Sequence, residues 1–330
     1  MCKFATRMIE TQKQLIKMRK TLHYLLHLAA VVCLLCSVSC QNSAAPSAQE
    51  NRAEKILQHL HNPQSEYVIV VSHRGDWRNY PENSIPAIES VIKMGVDMVE
   101  LDIAMTLDSV LVLSHDRTID RCTTGKGRIS DMTYDSLQTF YLKSAHGARS
   151  SFDLKIPTLR EALEVCKDRI LINIDKGYDY YDQVLAMTEE LGVTHQILIK
   201  GSKPQAEVAE KMAAYENNLL YMPIVSPASK SQQPLFESYL AGEPQLAYEV
   251  CWDTMTPEVA TAIERVKASG SKLWVNTLWN SLCGGLSDDV AWMTSAEEVY
   301  GKIIDLGTTM IQTDRPEFLI DYLRSRGLHD

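Results

Sequence analysis

The chain has 330 residues, 45% hydrophobic and 23% charged, with a formal net charge of -9. That size and composition fit one large globular domain or two small ones, and the acidic balance argues against a nucleic-acid partner, which would select a basic surface. The acid excess suits a small-molecule or zwitterionic substrate, with anion binding confined to a local basic site.

The first forty residues read as a leader. Met1 to Ile16 adds nothing signal-like, so Met18 is the expected start. Lys17, Arg19 and Lys20 form a positive stretch, and Leu25 to Leu35 is apolar but short of a comfortable membrane span. Ser37-Val38-Ser39-Cys40 and the polar residues after it resemble a bacterial lipoprotein leader, with Cys40 the lipidated first residue. An ordinary cleaved signal peptide is the alternative. Either way the expected location is outside the cytoplasm, in the periplasm or on a membrane held only through lipidated Cys40. Residues 41–65 read as a Ser-, Ala- and Pro-rich tether followed by a short helix, Arg52 to His61. Past the leader, Cys122, Cys166, Cys251 and Cys283 are widely spaced with no CxxC pair, which disfavours zinc. Cys166 and Cys251 read as core residues, and a disulfide pairing stays open.

From Tyr67 onward, short apolar strands alternate with amphipathic helices, the pattern of a parallel sheet covered by helices. Candidate strands are Val68–Ser72, Met98–Ala104, Val110–Ser114, Ile170–Asp175, Gln196–Lys200, Leu219–Val225, Leu246–Cys251, Lys272–Leu278 and Met310–Thr313. The helices between them carry clear boundary signals. Ser84 caps one that has Pro86 in its first turn and Gly95 at its end. Thr158-Leu-Arg-Glu161 and Ser295-Ala-Glu-Glu298 are capping-box patterns. Thr256-Pro257 opens another helix, ended by Gly270, and Pro316 opens the last. The expected fold is α/β, a TIM (β/α)8 barrel over residues 66–330 with a small insertion, about 117–156, after the third strand. Nine candidate strands compete for eight barrel places, and Leu246–Cys251 is the expected accessory strand.

The chemistry gathers at strand ends. Glu100 and Asp102 are two apart on a strand and therefore share a face; Asp175 ends another strand. Three carboxylates without cysteine select a hard cation, one Ca²⁺ or Mg²⁺, over zinc. The competing reading is a salt-bridge network holding Arg74 or a lysine. His73 and His115 follow two different strands, and an imidazole pair near neutral pH can take one proton and give another. Arg74 offers a bidentate fork to phosphate. Glu82 and Asn83, in a Pro-led loop, suit a substrate-contacting or orienting role, or capping of the next helix.

The ordered groups His73-Arg74-Gly75, Pro81-Glu82-Asn83-Ser84, Glu100-Leu101-Asp102 and His115-Asp116 resemble the glycerophosphodiester phosphodiesterase family. So do Ile156-Pro157-Thr158-Leu159 and Ile311-Gln312-Thr313-Asp314-Arg315-Pro316. The resemblance spans nearly all of Tyr67 to Leu328. It implies a TIM barrel with an insertion and metal-dependent cleavage of glycerophosphodiesters to glycerol phosphate and an alcohol. By position it implies acid/base roles for His73 and His115, phosphate contact by Arg74, and metal binding by Glu100, Asp102 and Asp175.

Three departures from the family pattern stand out. Asp175 replaces a metal-binding Glu. The family's Glu-x-Lys becomes Asp175-Lys176, so Lys176 has the opposite strand parity. Either the strand bends at its end, or Lys200 supplies the positive charge. Asn276 stands at the place of a family tryptophan, leaving Trp279 as a substrate-facing wall or a packing residue. Glu249 is a further candidate for the pocket. The alternatives within this reading are a lysophospholipase D-like or phosphoinositide phosphodiesterase of the same superfamily, and a non-catalytic phosphodiester-binding lipoprotein.

Overall fold

Eight parallel strands close on themselves around a polar upper layer and an apolar lower one. A computed structural model describes residues 51–145 and 147–330. The leader, Cys40 and the tether up to residue 50 lie outside the described residues. In chain order the elements are α1 (Arg52–His61), β1 (Ile69–His73), α2 (Ile85–Met94), β2 (Met98–Met105), β3 (Leu111–Leu113), α3 (Tyr134–Leu137) and α4 (Leu159–Cys166). There follow β4 (Leu171–Asp175), α5 (Tyr181–Leu191), β5 (Ile197–Gly201), α6 (Gln205–Met212), β6 (Leu220–Val225), α7 (Gln233–Ala241) and β7 (Ala247–Val250). The chain ends with α8 (Pro257–Ala268), β8 (Lys272–Asn276), α9 (Asp288–Met293), α10 (Lys302–Asp305), β9 (Met310–Thr313) and α11 (Pro316–Ser325). No described helix is long and apolar enough to cross a membrane.

The barrel runs β1-β2-β4-β5-β6-β7-β8-β9 and closes where β9 pairs back onto β1. This overturns one expectation from the sequence. The strand at Leu246–Cys251 is not accessory; as β7 it pairs in parallel with both β6 and β8. The strand outside the barrel is β3, which lies antiparallel on the upper half of β2, Ile103 opposite Leu113. The reason is chain length. Only residues 106–110 join β2 to β3, enough for a hairpin, whereas a parallel crossover needs a dozen or more residues.

Strand parity sorts the side chains into two cores. Ile69, Val71, Met98, Leu171, Leu198, Met222, Ala247, Trp274 and Met310 point inward and pack with Ala53, Ile56, Leu57 and Leu60 of α1. Helix α1 thus plugs the bottom of the barrel. Its side chains recur at helical spacing, Asn51 accepts the Glu54 amide as its N-cap, and Asp97 anchors it through Arg52. Outward-facing Val, Ile and Leu residues pack against the surrounding helices. Ser84 caps α2 through the Ala87 amide, and Gly95 ends it in the left-handed region. Thr158 and Glu161 make a reciprocal capping box on α4. The insertion after β3 has its own small core of Val112, Ile119, Ile129, Leu137, Leu142 and Ile156. Cys122, Cys166, Cys251 and Cys283 are all free thiols.

Candidate active site

Above the apolar plug, inward positions turn polar on one strand after another. The register places His73 of β1 beside Glu100 of β2, and Asp102 of β2 beside Asp175 of β4. Glu100, Asp102 and Asp175 each offer an oxygen within 4.8 Å of the others. Glu100 and Asp102 are buried. Burial, and then the Asp102 charge, push Glu100 well above the usual carboxylate range, against a smaller opposing effect of Lys200. Three crowded oxygen donors fit a hard divalent cation. The donor set fits despite Asp standing where the family pattern has Glu, because the register brings Asp175 level with Asp102.

The first loop supports this cluster. The Arg74 amide donates to Glu100 Oε2 at 3.0 Å, and the Arg74 guanidinium lies 3.3 Å from Asp102 Oδ2 and 3.1 Å from Glu82 Oε1. Asn83 spends both ends of its amide on Asp102: Nδ2 donates to Oδ2 at 3.0 Å, and Oδ1 accepts the Asp102 amide at 3.1 Å. Both Arg74 and Asn83 have left-handed backbones, with φ of 56° and 54°. Such strain in non-glycine residues concentrates at functional sites. Glu82 and Asn83 therefore stand behind the mouth and orient Arg74 and Asp102. Burial raises Glu82, but the Arg121 hydrogen bond and the Arg74 charge outweigh it and leave the carboxyl below its ordinary range.

Each histidine is held at Nδ1 by a carboxylate. His73 Nδ1 lies 2.8 Å from Asp314 Oδ1, which also accepts the Trp77 indole N–H at 2.6 Å. His115 Nδ1 lies 2.7 Å from Asp116 Oδ1. A carboxylate at Nδ1 keeps a proton there, so Nε2 is the nitrogen available for proton transfer. His115 follows β3, so the hairpin on β2 delivers it, not a barrel strand. Asp116 and Asp314 carried no assigned role in the sequence, although both stand inside the quoted motifs. The residue next to His115 was a usable signal; the link from Asp314 to His73 spans 241 positions and is visible only in three dimensions.

The two lysines occupy different places. Lys176 has φ +63°, a left-handed residue that ends β4 and reverses the strand parity. Its Nζ donates to the His115 carbonyl at 2.6 Å and lies 3.8 Å from Asp102 Oδ1. The bend anticipated as one of two options is therefore present. Lys200 is buried deeper, 3.0 Å from Glu249 Oε2 and 3.3 Å from Gln312 Oε1. Burial works against its charge, but Glu249 and then Glu100 raise it above its ordinary value. Glu249 also accepts from Asn276 Nδ2 at 2.8 Å, and Asn276 accepts the Trp274 indole N–H at 2.7 Å. Cys251, expected in an apolar core, instead sits 3.7 Å from Glu249 because its strand faces this polar layer. Trp279 is 50% exposed with its ring 6.3 Å from that of His73, so it stands at the mouth and not in the core.

Comparison with known proteins agrees with this geometry. A family model described as a domain of unknown function matches residues 221–323. A glycerophosphodiester phosphodiesterase of Caldanaerobacter subterraneus subsp. tengcongensis is 28% identical over 270 residues, covering 78% of this chain and 99% of that protein. The crystal structure of a glycerophosphoryl diester phosphodiesterase from Parabacteroides distasonis superposes with a TM-score of 0.68 at 24% identity, covering 83% of this chain and 92% of the other. The chain is similar in sequence to glycerophosphodiester phosphodiesterases over most of its length and shares their barrel fold.

Human glycerophosphodiester phosphodiesterase 1 is 43% identical over 100 residues, a segment that makes up 30% of each chain. An Oleispira antarctica phosphodiesterase, solved with its product sn-glycerol-3-phosphate, shares the barrel with a TM-score of 0.59 at 20% identity, covering 79% of this chain and all of that one.

Proposed function

We propose that the protein hydrolyses glycerophosphodiesters to glycerol phosphate and an alcohol, using His73 and His115 as the proton-transfer pair. One observation carries the reading. Two histidines, each backed at Nδ1 by a carboxylate, border the same three-carboxylate cluster, with Arg74 between Glu82 and Asp102. A binding protein has no need of two such imidazoles.

Glu100, Asp102 and Asp175 would hold one Ca²⁺ or Mg²⁺. The ion would polarise the phosphoryl oxygens and offset charge that develops on them. Arg74 and Lys176 stand beside the same carboxylates and would bind the phosphate oxygens. Lys200, locked to Glu249, would keep the lower layer neutral. One histidine takes the proton of the attacking hydroxyl, which is the substrate's neighbouring glycerol hydroxyl. The other protonates the leaving alkoxide, and water then opens the cyclic phosphate with the roles reversed. Trp279 would wall the glycerol side of the mouth. The leader supports export, with Cys40 as the lipid attachment point.

The test is turnover by the purified protein. Glycerophosphocholine or glycerophosphoethanolamine should release glycerol phosphate; EDTA should stop this, and Ca²⁺ or Mg²⁺ should restore it. Absence of release under all these conditions would refute the reading, and full activity in EDTA would remove the metal from it.

A further inference from the structure

Arg121 lies in the insertion, outside the barrel, and no element of the proposed chemistry uses it. Its guanidinium grips two carboxylates at once. Nε and Nη2 reach Asp116 at 2.8 and 3.2 Å, and Nη1 and Nη2 reach Glu82 at 2.6 and 2.9 Å. Asp116 is the partner of His115, and Glu82 is the partner of Arg74. A continuous chain of opposite charges thus runs Arg74–Glu82–Arg121–Asp116–His115.

The two histidines therefore meet different carboxylates. Asp314, behind His73, is shared with the neutral indole N–H of Trp77, while Arg78 takes only its backbone carbonyl. Its negative charge remains available to stabilise an imidazolium. Asp116, behind His115, already neutralises a guanidinium; the Arg121 hydrogen bond holds its carboxyl down at about 2. A carboxylate shared with a cation stabilises an imidazolium less.

We propose that Arg121 is a positioning residue that divides the proton chemistry, leaving His73 as the proton acceptor and making His115 the donor to the leaving group. This rests on the phosphodiesterase reading above. In the first step the attacking hydroxyl loses its proton to His73 Nε2 as its oxygen bonds phosphorus. The opposite P–O bond breaks as the departing oxygen takes the proton of His115 Nε2. Water reverses both transfers in the second step and restores the pair.

The test compares leaving groups. Glycerophosphocholine expels an alkoxide that needs a proton; glycerophospho-p-nitrophenol expels a phenolate that does not. In the full-length enzyme, Arg121→Met should lower kcat on the choline ester by about 100-fold, and on the nitrophenyl ester by less than about 5-fold, with KM little changed. Arg121→Lys should recover part of the loss, since a single ammonium restores charge but not the double fork. Should the Met variant fail to fold, the Lys variant carries the same comparison. Equal losses on both substrates, or a change confined to KM, would overturn the assignment. Wild-type enzyme inactive on both esters would instead refute the phosphodiesterase reading, and this inference with it.

Discussion

The left-handed backbone at Lys176 brings its ammonium onto the catalytic side of the barrel, although its position in the strand points it outward. Lys200 has the inward parity and is spent on Glu249. The two lysines should therefore fail differently. Lys176→Met should lower kcat on the order of 100-fold with an unchanged melting temperature, because the phosphate contact proposed for this half-exposed ammonium is lost. Lys200→Met leaves Glu249 and Glu100 buried without their cation and should cost about 3–5 kcal/mol of stability. Thermal melts beside turnover on one substrate decide this; the reverse pattern would exchange their roles. Parity alone left both lysines open, because a single left-handed residue at a strand end erases the alternation on which parity depends.

Among the elements, the β1–α2 turn packs closely against the helix that follows it. Gly75 has φ +73°, and a Cβ there would stand 3.0 Å from both the carbonyl carbon and the Cβ of Ala87. Gly75→Ala should destabilise by about 2–3 kcal/mol, combining left-handed strain with displacement of α2. Chemical denaturation measures this, and a loss below 0.5 kcal/mol, the scale of a neutral surface change, would show that the turn has slack. On the opposite side, Asp288 at the start of α9 accepts from Thr277, Tyr300, Thr313 and the Asp314 amide, and so fixes the strand end that presents Asp314 to His73. Burial raises this carboxyl to about 6 despite those four donors. Its folded value exceeds the unfolded one of about 3.9, so the folded state binds the proton more tightly. Its contribution should therefore be largest below about pH 4 and be lost as pH rises through 6. The stability difference between wild type and Asp288→Asn, measured across that window, should change with this sign; a flat difference would show that the donors compensate for burial.

For the whole molecule, the closed barrel collects carboxylates from β2 and β4 under a mouth that the insertion flanks. An ion held by three mutually repelling acids would be a folding partner as well as the proposed cofactor. Ca²⁺ or Mg²⁺ at 100 times its dissociation constant should stabilise the fold by about 2.7 kcal/mol, read as a rise in melting temperature without any substrate present. Glu100→Gln should abolish the rise. An unchanged melting temperature in wild type would argue that the carboxylates serve Arg74 and Lys176 alone.

Much of the design was legible in the amino-acid sequence, because alternation, caps and the ordered His, Glu and Asp groups are local signals. They sufficed for a barrel, its insertion, the carboxylate trio and both histidines. The strand excluded from the barrel was not legible: Val110–Ser114 and Leu246–Cys251 look alike as apolar runs, and only the short 106–110 connection, acting through hairpin geometry, separates them. Asp314 behind His73, the bend at Lys176 and the double grip of Arg121 were decided by tertiary structure. Closure of the barrel brings Asp314 to His73 across 241 positions, packing of the insertion brings Arg121 to Glu82 across 39, and a single left-handed φ turns Lys176; no periodic pattern along the chain encodes any of these.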